Sequence, residues 1–110
     1  MKTPLIFDEY KDYLVLEEHN DKHWGNEDNY RYVFRFENNL GASVIKHIGS
    51  YGYEDDLFEL AVLGFDGDSW ELLYDTDITD DVLGYLTNGA VLGYLRDIKE
   101  LKREEQEQYE

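Results

Sequence analysis

Eleven carboxylates fall between His47 and Leu95, a stretch that holds neither Lys nor Arg: Glu54, Asp55, Asp56, Glu59, Asp66, Asp68, Glu71, Asp75, Asp77, Asp80 and Asp81. Clustered carboxylates can attract cations, ligate hard metal ions, or exchange protons as an acid–base pair. The sequence supports these uses unequally. Residues 75–80 (DTDITD) begin like a calcium loop, with acids at its first and third positions. Such a loop needs Gly at the sixth position and Glu at the twelfth, where this chain has Asp80 and Leu86. Asp66-Gly67-Asp68 reads more economically as a hairpin turn. Acid pairs suited to proton transfer arise by chance among 26 Asp and Glu residues, so they carry no weight.

Other reactive types are no more persuasive. His19 and His23 stand four apart, a spacing that would put two imidazoles on one helix face for zinc. Asn20, Asp21 and Gly25 mark that region as a loop, however, and no third ligand is near. His47 reads as a half-buried structural residue. Ser43, Ser50 and Ser69 lack a nucleophile-elbow context, and there is no Cys. Residues 49–53 (GSYGY) match no phosphate loop and precede three acids that would repel phosphate. No catalytic residue, metal site or cofactor is therefore expected, and the chain does not read as an enzyme.

Attraction of cations remains. The residues expected to carry it are Glu54, Asp55 and Asp56 after the Gly-rich break, with Asp66, Asp68, Asp75 and Asp77 at the turns. Tyr51 and Tyr53 are the candidate aromatic anchors, since interfaces draw heavily on Tyr. Acids two apart on a strand lie about 6.6–6.8 Å from one another, close to the phosphate step of a nucleic-acid strand. Asp66 with Asp68, and Asp75 with Asp77, have that spacing. A surface so decorated would fit the basic groove of a nucleic-acid-binding protein, with steeply salt-sensitive affinity. The plainer alternative is a solvated acidic surface that serves solubility alone.

Composition sets the frame. The formal net charge of -16 argues against nucleic acid or an anionic membrane as a direct ligand, since both need a basic face. A halophilic surface would be acidic throughout with few bulky aromatics, whereas here 15% of residues are aromatic and the acids sit among them. The 110 residues suit one domain, and 42% apolar content is ample for a core. Absence of Cys points to a reducing cytoplasm. No signal-peptide pattern and no membrane-length apolar run is evident, which agrees with that compartment.

The elements that must position these residues follow from periodicity. Residues 1–29 are ambiguous: residues 13–19 alternate like a strand, while residues 7–16 also fit one or two helical turns. We favour the strand, followed by a loop over 20–29. Residues 30–37 (YRYVFRFE) are the clearest strand, with Tyr30, Tyr32, Phe34 and Phe36 on one face and Arg31 and Arg35 on the other. That aromatic row reads as sheet core or as an oligomer contact, and the two Arg should pair with neighbouring carboxylates. A turn at 38–41 and a returning strand at 42–48 complete a hairpin. Residues 57–65 are apolar almost throughout, as in a central strand buried on both faces, and residues 70–75 return from it.

The period then changes. Thr79 before Asp80 and Asp81 suggests a helix cap, with a short helix at 82–86. A second helix over 89–105 presents Val91, Tyr94, Leu95, Ile98 and Leu101 on one face, with Lys99, Lys102 and Arg103 toward its end. Residues 106–110 read as a frayed tail. The expected fold is α+β: one domain with a meander of four or five antiparallel strands over 30–78, and one or two C-terminal helices within 79–105 packed on it.

Residues 36–101 carry FENNLGASVIKH, GSYGYEDDLFELAVL and LLYDTDITDDVLGYL in order, followed by the helix. This pattern resembles a family of small uncharacterised proteins encoded by tailed bacteriophages and prophages. The resemblance covers about two thirds of the chain and brings no catalytic residues with it. It implies structural roles for Gly41 and Gly52 in turns and Thr79 as a cap. It also implies a function, since small acidic phage proteins often disable host restriction, CRISPR or recombination enzymes. The leading expectation is a non-enzymatic inhibitor of a basic host protein that handles nucleic acid, acting as a nucleic-acid mimic. The alternative is an accessory or assembly protein that homo-oligomerises, its charge serving solubility. Sequestration of a signalling nucleotide would need Arg31, Arg35 and Lys46 to converge in one pocket.

Overall fold

The alternation in residues 30–37 produces a strand whose aromatic side is buried, and the sheet grows from it. The computed structural model describes residues 2–79 and 81–101. Strands β1 (Leu14–His19), β2 (Tyr30–Arg35), β3 (Leu40–Lys46), β4 (Phe58–Asp66) and β5 (Ser69–Leu73) are neighbours in chain order, all antiparallel. A sixth, β6 (Leu83–Leu86), pairs with β4. Helix α1 (Asn88–Glu100) packs over β3 and β4. The expected α+β meander with a C-terminal helix is the observed fold.

Opposed residues of antiparallel strands share a face, so the register fixes both sides of the sheet. One side carries Tyr30, Tyr32, Phe34, Phe36, Ala42, Val44, Phe58, Leu60 and Val62, and the stripe Val91, Leu95 and Ile98 of α1 closes over it. The aromatic row is thus core. Phe7 packs edge-on against Tyr32 and Phe34, each 5.3 Å between ring centroids, and Tyr13 does so against Phe36 at 5.1 Å. Val33, Leu63 and Phe65 form a smaller cluster on the opposite side, so β4 is apolar toward both faces.

The N-terminal segment joins the fold in both ways its sequence allowed. A 3-10 turn at Asp8–Tyr13 leads directly into β1. Residues 2–7 are tied across the end of the core. The Leu5 N–H donates to the Tyr32 hydroxyl at 3.1 Å, and Ile6 exchanges two hydrogen bonds with the Asn88 side chain.

Residues 82–86 depart from expectation: Leu83–Leu86 form a strand where a short helix was anticipated. Strand β5 covers only Val62 to Asp66 of β4, leaving the backbone groups near Phe58 and Leu60 without partners. Leu86 and Leu83 supply them. A five-residue helix has no comparable stabilisation. Thr79 accordingly caps no helix. Thr87 does, its hydroxyl accepting from the Ala90 N–H at 3.2 Å. The helix ends at Glu100, with Leu101 already extended. The rest of the expected 89–105 helix, Lys102 and Arg103 included, and the tail at 106–110 lie outside the described residues. Gly41 sits inside β3 and not in the turn. A Cβ there would overlap the Phe34 carbonyl and lie 2.7 Å from the Phe65 ring.

Candidate functional site

Strand β4 has β3 along one edge and β5 and β6 in tandem along the other. Six carboxylates of the base-free stretch lie along this second edge. Glu54 and Asp55 lie in the 3-10 turn that precedes β4, Asp66 ends that strand, Asp68 sits in the β4–β5 turn, and Asp75 and Asp77 follow β5. All six are exposed and form no ion pair with a described residue. The nine-residue strand β4 runs from beside the first group to Asp66, roughly 25–30 Å at the usual rise. That exceeds the screening length of about 8 Å several-fold. A small ligand would therefore sense one group, and only a large partner could engage them together. Asp66–Asp68 and Asp75–Asp77 lie in turns and bends, so the regular strand spacing expected of them does not apply.

Two expected contact residues are committed to the interior. Tyr53 is buried, and its hydroxyl donates to the Asp28 carbonyl at 2.5 Å. Burial raises its phenol above the ordinary value, which keeps the donor protonated. Asp56 is half-buried with both oxygens engaged. Its Oδ1 accepts from Lys46 Nζ at 2.8 Å and from the Thr3 N–H at 2.8 Å, while Oδ2 accepts from the Thr3 hydroxyl at 2.7 Å. Desolvation pushes this carboxyl upward, but the Lys46 and Thr3 donors outweigh it and hold it at about 2. Tyr53 is therefore closed to a partner, while Asp56 is already engaged by Lys46 and Thr3.

Tyr51, Glu54 and Asp55 do come together, with a residue that sequence reasoning missed. Loop 49–53 packs against β6 so closely that a Cβ on Gly84 would lie 2.5 Å from Tyr51 Cβ, and one on Gly52 2.9 Å from Tyr85 Cα. The Tyr85 N–H donates to the Tyr51 carbonyl at 3.3 Å. The β6–β4 register slips between Phe58 and Leu60, so β6 carries an extra residue, and Tyr85 takes up the bulge at φ +58°. Of the four non-glycine residues at positive φ among those described, the others are Asn20, Asn39 and Asp56, types that enter this region readily. A tyrosine there costs on the order of 1–2 kcal/mol. Packing does not compensate, because Tyr85 is 62% exposed, beside Tyr51 at 58%. Tyr51 and Tyr85, with Tyr53, Glu54 and Asp55, line an open recess of about 300 Å³. The sequence did hold a hint: Gly84 before an aromatic in a short apolar run is a bulge signature.

The remaining candidates separate. Arg31 pairs with Glu18 at 3.4 Å, as expected. Arg35 instead donates to the Gly67 carbonyl at 2.7 Å and to Asn39 Oδ1 at 2.9 Å. Both lie on the face opposite Lys46, so the three cations do not converge. His19 contacts Glu17 at 2.7 Å, whereas His23 packs on Trp24. Among the described residues no three His, Asp or Glu side chains gather to hold a metal, and no helix is long and apolar enough to cross a membrane.

The sheet face turned away from α1 holds a shallow groove of about 530 Å³. Trp24, stacked on His47 at 4.0 Å, lines it together with Ile45, Trp70 and Leu72. No family model matches this chain, and neither curated proteins nor solved structures contain a match to it.

Proposed function

We propose that this protein is a non-enzymatic binding protein whose acidic β4–β5–β6 edge engages the basic surface of a protein that handles nucleic acid. One observation carries the reading. Glu54, Asp55, Asp66, Asp68, Asp75 and Asp77 stay exposed and unneutralised along a single edge of a rigid sheet. The turns that carry them are anchored at the ends of strands β4 and β5, which limits the backbone ordering that binding would cost. The separation of the groups favours a macromolecular partner. Their sign favours one that ordinarily binds phosphates, which the protein would exclude by competition. The resemblance of residues 36–101 to small tailed-phage proteins supports a host restriction, CRISPR or recombination enzyme as that partner, met in the host cytoplasm.

The test is capture on the immobilised protein from a bacterial lysate, washed with rising salt and then with duplex DNA. A basic nucleic-acid-binding protein that is released by salt and displaced by DNA is the expected result. Retention of nothing, or of material indifferent to both washes, would count against the proposal.

Self-association is a second reading, favoured by the groove opposite α1. Phe34 cannot be its contact, being core. Trp70 and Leu72, both exposed, can. A dimer in light scattering that is lost in Trp70→Glu, with circular dichroism unchanged, would support it.

A further inference from the structure

We infer that the recess between Tyr51 and Tyr85 receives the guanidinium of a single arginine from the partner. The inference rests on the basic-partner reading above and specifies where on the acidic edge its centre lies. Four observations converge on it. The rings of Tyr51 and Tyr85 are both solvent-exposed, whereas Tyr10, Tyr30, Tyr32 and Tyr53 are buried. The close approach of Gly84 to Tyr51 Cβ and of Gly52 to Tyr85 Cα packs the two backbones together, so both tyrosines spring from one tight junction of loop and strand. Glu54 and Asp55 stand on the same recess without a basic partner among the described residues. Finally, Tyr85 occupies a backbone conformation that glycine would occupy more easily, although its ring covers no core. A large aromatic at such a position, turned outward by a bulge, leaves its ring free to meet a ligand.

Aromatic faces beside carboxylates suit a planar cation. A guanidinium can stack flat on a tyrosine ring while its edge donates through two N–H groups to a carboxylate, and it is more weakly hydrated than an ammonium. The same loop already handles a cation beside the recess. Lys2 Nζ lies 4.5 Å from the centroid of the Tyr53 ring and donates to the Glu54 carbonyl at 3.3 Å. That ammonium engages Tyr53 and leaves the side chains of Tyr51, Tyr85, Glu54 and Asp55 uncommitted.

The experiment is a two-dimensional NMR titration of the full chain with N-acetyl-arginine amide and, in parallel, with its uncharged citrulline counterpart. Saturable shifts of the Gly52, Gly84 and Tyr85 amides with arginine, at least ten-fold weaker with citrulline, are expected. Tyr85→Gly should keep the wild-type spectrum elsewhere and lose the saturable response, and Tyr51→Ala provides a second variant that leaves the bulge alone. Equal responses to the two amides, or full binding by Tyr85→Gly and Tyr51→Ala, would overturn the inference. A deca-arginine peptide separates the two levels. If it binds wild type and both tyrosine variants alike but weakens on Asp66→Lys/Asp68→Lys, the recess is wrong and the acidic edge stands. If it binds none of them, both fail.

Discussion

Lys46 and Asp56 form an ion pair across the end of the core, 2.8 Å from Nζ to Oδ1, in which the lysine side chain is 1% exposed and the aspartate 37%. The ammonium also donates to the Thr3 carbonyl at 2.7 Å and sits 3.8 Å from the centroid of the Phe58 ring. It thereby joins β3, the start of β4 and the N-terminal segment. The pair is asymmetric, since one charge depends on the other for its stabilisation while the second still reaches water.

That asymmetry predicts unequal mutants. Asp56→Ala leaves a buried ammonium with only a carbonyl and a ring, and should destabilise the fold by about 2–4 kcal/mol. Lys46→Met leaves a carboxylate that water and Thr3 still solvate, and should cost less than about 1.5 kcal/mol. Urea unfolding of the two variants decides the matter, and equal losses would contradict this account.

Acid stability follows from the same carboxyl. It is held at about 2 in the folded protein against an ordinary 3.8, so unfolding takes up a proton between those values. Its contribution is complete above the ordinary value and disappears as pH falls through about 2. Because a third of the side chain is in solvent, the whole effect should be about 1–2 kcal/mol. Protonation of the other acids relieves self-repulsion over a similar range, so the useful quantity is a difference. Unfolding free energies of wild type and Asp56→Asn should converge between about pH 4 and pH 2.

Tyr85→Gly should stabilise the protein. Releasing a left-handed tyrosine gains about 1–2 kcal/mol, and the added chain entropy of glycine returns about 0.5–1. The net, between about 0 and 1.5 kcal/mol, corresponds to a melting temperature higher by up to several degrees. A lower melting temperature would show that the exposed ring does structural work after all.

Asn38 closes the far end of α1. Its side-chain amide donates to the carbonyls of Ile98 at 2.9 Å and Leu101 at 2.7 Å, while its oxygen accepts from the Leu40 N–H at 3.0 Å. Asn38→Ala should cost about 1–3 kcal/mol. Hydrogen exchange should accelerate first at the Leu40 amide and in the last turn of α1, ahead of the sheet centre.

The charge-reversed variant Asp66→Lys/Asp68→Lys should fold normally, with stability within about 0.5 kcal/mol of wild type, because both residues are exposed at a turn. Its affinity for deca-arginine should fall, and with it the slope of log Kd against log salt. An unchanged slope would remove the acidic edge from the binding surface.

What the sequence determined by itself is local or additive. The two-residue period of β2, the turn after it and the Val91–Leu95–Ile98 stripe of α1 are each written within a dozen residues. The net charge is a sum that no fold can change. Tertiary structure decided everything that rests on a distant partner. Asp55 and Asp56 are indistinguishable as sequence, yet one faces solvent and the other holds Lys46 and Thr3. Tyr51 and Tyr53 divide in the same way, because the carbonyl that Tyr53 needs belongs to Asp28. Residues 83–86 became a strand because β4 had an edge left to pair, a fact about β5 and not about those four residues. Only that pairing, with one residue too many, turned Tyr85 outward beside Tyr51.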